Sequence, residues 1–152
     1  MRRILLTILF FSSILSGFAQ TYDERIALAM NKHDWFALDS IYKVTPKDSI
    51  TPFLEVFSRC LIGNRLNRPE ESVQAFDELF RNHSTELDLG NMLSSAMMFS
   101  MDLNRLDENK RAADMLTAIL SSTKEYLDST WVTALRNNID QYNALAGYTP
   151  YE

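Results

Sequence analysis

The chain has 152 residues, a formal charge of −5, 46% hydrophobic residues, four glycines, four prolines and one cysteine. The acidic balance gives no electrostatic reason to bind nucleic acid, the few glycines and prolines argue against a turn-rich β fold, and a lone Cys60 excludes an internal disulfide.

Residues 1–19 have the layout of a secretory signal peptide. Arg2 and Arg3 form a positive start, Ile4 to Leu15 is mostly apolar, and Gly17-Phe18-Ala19 puts small residues before a cleavage at Gln20. The stretch is shorter than the roughly 20 apolar residues of a membrane span. The mature protein is therefore expected to be exported, with two charges fewer on its basic side and no membrane anchor. The remainder divides into a helical domain over 20–146 and a C-terminal stub over 147–152.

From Tyr22 onward the pattern is helical. Tyr22 to about Asn31 reads as a first helix with Ile26 and Met30 on one face. Asp34 is the expected N-cap of a second, carrying Phe36, Leu38, Ile41 and Tyr42 and ending at Thr45-Pro46. A third opens at Thr51-Pro52, buries Phe53, Val56, Phe57, Cys60 and Leu61, and is predicted to stop at Gly63. Pro69 opens a fourth, burying Val73, Phe76, Leu79 and Phe80. A fifth runs from about Glu86 to Asp102 with Leu89, Met92, Leu93, Ala96 and Met97 in register. Asp107 is the predicted cap of a sixth, with Ala112, Met115, Leu116, Ile119 and Leu120 inward. Ser122-Thr-Lys-Glu125 has capping-box spacing, ahead of a last helix carrying Trp131, Leu135, Ile139 and Tyr142 to about Ala146, with Gly147 as its end.

These segments repeat. Ala37-Leu-Asp-Ser-Ile-Tyr-Lys43 recurs 38 positions later as Ala75-Phe-Asp-Glu-Leu-Phe-Arg81, and a weaker copy, Met115 to Ser121, follows after 40 more. Asn64-Arg65-Leu66 returns as Asn104-Arg105-Leu106. A period in the range of about 34–47 residues with helical patterning marks helix–turn–helix repeats, which must stack to bury their apolar faces. The expected fold is all-α: a TPR-like α-solenoid of about three antiparallel hairpins plus a terminal helix, with the copied segments on equivalent second helices.

No pattern of catalytic or ligating residues accompanies the repeat. His33 and His83 lack the spacing of a metal pair. The acidic pairs Glu70-Glu71, Asp77-Glu78 and Asp107-Glu108 read as helix-dipole partners or solvated faces. Cys60 falls on an apolar face and is expected to be buried and inert. There is no glycine-rich phosphate loop and no nucleophile elbow, so no cofactor, metal or catalytic residue is assigned.

Two resemblances are visible. The hairpin pattern, with Ala37 and Ala75 at small-residue positions, is similar to tetratricopeptide-type repeats, although their Trp–Leu–Gly–Tyr signature is missing. The runs Asp34 to Tyr42, Pro52 to Arg59, Leu61 to Arg65 and Asn67-Arg68-Pro69 resemble the N-terminal helical region of exported bacterial proteins with a retropepsin-like aspartyl protease domain. In that family the catalytic Asp-Thr/Ser-Gly lies in the β domain, which this chain lacks, so no catalytic residue carries over. The resemblance implies a free-standing or truncated form of the helical part.

The functional expectation is a non-enzymatic module binding a protein or peptide. The alternative is the accessory region of a protease whose catalytic domain is missing or encoded separately. Met98 and Met101 lie off the core stripe and are candidates for contact. Tyr126 and Trp131, with the stub's Tyr148 and Tyr151, add aromatic bulk at the C-terminal edge. They are predicted to dock on a missing domain or a second copy, the alternative being that Trp131 packs into the last hairpin.

Overall fold

The computed structural model describes residues 21–147. Every regular element among them is helical: α1 (Tyr22–Asn31), α2 (Trp35–Val44), α3 (Pro52–Arg65), α4 (Pro69–Asn82), α5 (Leu89–Arg105), α6 (Asn109–Thr123) and α7 (Ser129–Ala146). The fold is all-α. Contacts divide the chain into two compact units that part between Ile50 and Thr51. The predicted signal peptide, Tyr148 and Tyr151 lie outside the described residues.

In the first unit, α1 packs against α2. A capping box opens α1: the Thr21 hydroxyl accepts the Glu24 amide at 3.2 Å, and the Glu24 carboxylate accepts the Thr21 amide at 2.9 Å. Asp34 caps α2 as expected, accepting the Ala37 amide at 2.9 Å. Ile26, Ala29 and Leu38 are buried. Phe36 is not: it is 77% exposed. Two residues along a helix span about 200°, so Phe36 must face away when Leu38 faces in.

In the second unit α3 packs along α4, α4 against α5, α5 against α6 and α6 against α7, while α3 also meets α5. Polar contacts join helices two apart. Asp77 of α4 pairs with Arg111 of α6, and Ser100 of α5 lies 3.4 Å from the Tyr142 hydroxyl of α7. One core runs through the unit from Val56 and Cys60 through Phe76, Leu79, Leu93, Phe99 and Leu116 to Leu135 and Tyr142. Phe99 stacks on both Phe76 and Phe80, with ring centroids 5.4 and 5.9 Å apart.

Two kinds of joint recur. Inside the hairpins, His33, Asn67 and Asp107 take left-handed backbone (φ 54, 56 and 59°). The next amide in each case reaches back five residues: Asp34 to the Ala29 carbonyl at 3.0 Å, Arg68 to Gly63 at 2.8 Å, Glu108 to Leu103 at 2.8 Å. These are Schellman closures, with residue types that tolerate the left-handed region better than most. At the other joints, 3₁₀ turns at Lys47–Ser49, Ser84–Glu86 and Lys124–Tyr126 are each followed by an extended apolar residue, Ile50, Leu87 or Leu127. A cap position then opens the next helix at Thr51, Asp88 or Asp128.

Four expectations need correction. Gly63 does not stop α3, which continues to Arg65. A Cβ at Gly63 would lie 2.7 Å from the Ser72 nitrogen and 2.8 Å from its Cα, so the residue is there for the close approach of α3 to α4. Asp107 is not a cap but the left-handed closure residue, leaving Glu108 at the cap position without a side-chain capping bond to the helix amides. Ser122 to Glu125 is not a capping box. The Ser122 hydroxyl donates to the Ile119 carbonyl at 3.0 Å inside α6, and Asp128 caps α7 through the Trp131 amide at 2.9 Å. Finally, Asp77 and Glu78 are not simply solvated, since each is held by an arginine from another helix.

Candidate functional site

Met98 and Met101 share one side of α5, three residues apart. Met98 is half-buried against the core, while Met101 is 46% exposed. Tyr126 ends the 3₁₀ turn before α7 and is 76% exposed. Trp131 stands in the first turn of α7, half-buried against the core. The structure thus brings Tyr126 and Trp131 onto one joint and the two methionines onto one helix. Along α7, Thr133, Arg136, Asn137, Asp140 and Gln141 are exposed, and towards its end so are Ala144 and Leu145.

The most concentrated polar chemistry is a cluster that the sequence did not reveal. Asp102 is fully buried. Its carboxylate accepts the Ser72 hydroxyl at 2.6 Å, the Asn64 side-chain amide at 2.9 Å and the Arg105 guanidinium at 2.6 Å. Arg105 also donates to the Asn64 carbonyl at 3.3 Å, and Ser72 sits 3.3 Å from the Cys60 carbonyl. The carboxylate is surrounded by donors and shut off from solvent, so it clamps α3, α4 and α5 and has no access to a substrate. The repeated Asn-Arg-Leu turn supplied the only hint, because Asn64 comes from its first copy and Arg105 from its second.

Two arginines tie the helices at the surface. Arg59 lies between Glu55 at 3.2 Å and Glu78 at 2.5 Å. Partial burial pulls its pKa down, but Glu78 and Glu55 outweigh that and leave it raised. Arg111 joins Asp77 and Glu108, and its hydrogen bonds to them hold its pKa above the ordinary value. Cys60 is buried, and burial pushes its thiol well above the usual range. His83 sits 2.6 Å from Glu86, and His33 serves the left-handed turn. Among the described residues no three or more His, Cys, Asp or Glu are arranged to hold a metal ion. No described helix is long and apolar enough to cross a membrane.

The first unit carries a groove of about 220 Å³ between α1 and α2. Arg25, Leu28, Ala29 and Lys32 line it from α1, and Asp34, Ala37 and Ile41 from the cap and body of α2. Its lining depends on two helices meeting, and nothing in the chain's pattern singled it out.

No protein-family model, curated protein or solved structure matches the chain.

Proposed function

We propose that this chain is an exported, non-enzymatic α-solenoid of helical hairpins, similar to tetratricopeptide-type repeats, that binds a protein or peptide partner. The observation that supports it most is the recurrence of both joints. The same Schellman closure turns the chain within three hairpins, and the same 3₁₀–apolar–cap sequence connects each to the next. A chain built by repeating one joint serves extended surface rather than a single enclosed site. The even helices α2, α4 and α6 carry the three copied segments, which is the arrangement that stacked hairpins require.

The surface assigned to the partner includes the exposed side of α5 at Met101 and the joint at Tyr126. A photoactivatable amino acid placed at each position, in the organism that makes the protein, tests this. Discrete cross-linked species are expected from both positions and not from Asp140 on the polar side of α7. Equal yields from all three positions would refute the assignment. A cross-linked partner carrying a retropepsin-like domain would instead make the chain the accessory region of a divided protease.

A further inference from the structure

We propose that the groove between α1 and α2 is a binding site for an acidic amphipathic peptide segment. The inference deepens the reading of the chain as a protein-binding module and rests on it. Arg25, Leu28, Ala29 and Lys32 fall at i, i+3, i+4 and i+7 and form one stripe of α1 along the groove. The middle of that stripe is apolar, and Ala37 and Ile41 continue it on α2. The two ends are cations, about 10 Å apart at a rise of 1.5 Å per residue. Among the described residues neither cation has a carboxylate partner. The Arg25 guanidinium only rests on the Tyr22 ring, 5.9 Å from its centroid. The one carboxylate in the lining, Asp34, is engaged with the Ala37 amide through Oδ1. Two exposed cations therefore bracket an apolar floor on a chain of net charge −5, with Asp34 the single carboxylate in the lining.

The size decides which class of occupant fits. Small-molecule sites run from about 300 to 1,000 Å³, and this groove is smaller and open at the surface. It accommodates one protruding apolar side chain, the anchor of a peptide contact, with flanking carboxylates meeting Arg25 and Lys32. Leu28, 41% exposed, is the apolar surface that such an anchor would cover.

The test uses the full chain and two fluorescein-labelled helical peptides read by anisotropy. One carries two glutamates seven residues apart with two leucines between them; the other replaces the glutamates by lysines. The glutamate peptide is expected to bind about tenfold more tightly than its lysine counterpart. Exposed ion pairs are individually weak, but two act together here and reversal turns attraction into repulsion. Combining Arg25→Glu with Lys32→Glu should invert that preference, a result that misfolding cannot imitate. Ala37→Leu fills the floor and should weaken the glutamate peptide without altering its salt dependence. Equal binding of both peptides, or a preference unchanged by the charge reversal, overturns the proposal. So does binding to phosphatidylglycerol vesicles with no binding to the glutamate peptide. Cross-links retained at Met101 alongside a failed peptide test would reject the groove alone. Peptide binding without those cross-links would reject the α5 surface and leave the groove standing.

Discussion

Replacing Asp102 by alanine should destabilise the second unit by about 3 kcal/mol. The carboxylate is fully buried and accepts three donors. Breaking a buried ion pair by removing one partner costs roughly 3–5 kcal/mol, and each buried donor left unsatisfied costs about 1–3 kcal/mol. The structure tempers both figures. Arg105 is about a third exposed and can turn to water, while Ser72 keeps the Cys60 carbonyl at 3.3 Å. Asn64 retains only the Met98 carbonyl at 3.4 Å, a poor substitute. The stranded Asn64 amide and the void left by the carboxylate therefore dominate, which places the total at the lower end. Asp102→Asn preserves shape and one acceptor but turns an N–H₂ toward existing donors, so about half that loss is expected. Urea unfolding followed by far-ultraviolet circular dichroism measures both, with an unchanged slope required for the comparison. A loss below about 1 kcal/mol for Asp102→Ala would refute the view that this cluster clamps the three helices.

Gly63→Ala should cost at least about 2 kcal/mol, because its Cβ would press on Ser72 backbone atoms that cannot step aside. A neutral result in the same urea experiment would show that α3 and α4 do not approach so closely. Phe76→Ala should cost about 3–5 kcal/mol, the range for a buried aromatic, since Phe76 is fully buried and stacked on Phe99. The native protein should react with a thiol reagent only as fast as it opens, because burial both covers Cys60 and raises its pKa. Labelling as rapid as that of the urea-unfolded chain would contradict this.

The helical pattern, the cap at Asp34, the opening of α4 at Pro69 and most inward residues were legible because each follows from local periodicity and sterics. Register was harder. The left-handed residues Asn67 and Asp107 are 40 positions apart, matching the step from Ala75 to Met115. His33 and Asn67 are only 34 apart, whereas the Ala37 and Ala75 copies are separated by 38. The difference is about one helical turn. A slip of one turn keeps every apolar side chain on the same face, so a hydrophobic pattern alone cannot detect it. The sequence carries a second signal: Leu87-Asp88 returns as Leu127-Asp128, marking the joints where α5 and α7 begin. The Asp102 cluster had no local signature, since its donors Asn64 and Ser72 lie 38 and 30 residues away. The groove likewise exists only once α1 and α2 have met. The Ser122–Glu125 misreading came from hydroxyls that can bond backward within a helix as readily as they can cap one.

A chain of successive helical hairpins faces a hazard during folding, since one hairpin's apolar side can be offered to the wrong neighbour, in the same molecule or another. Asp102 gives one of these seams an address. Forty positions beyond Ser72 and Asp102 stand Ala112 and Tyr142, both buried and neither able to replace its counterpart in a carboxylate–hydroxyl contact. A helix carrying Asp102 against the later seam would meet Ala112 where Ser72 stood and lose that donor, and one carrying Tyr142 against the earlier seam would replace a carboxylate by a single hydroxyl for Asn64, Ser72 and Arg105. The pairing at that one seam is thereby marked by polarity as well as by its apolar contacts.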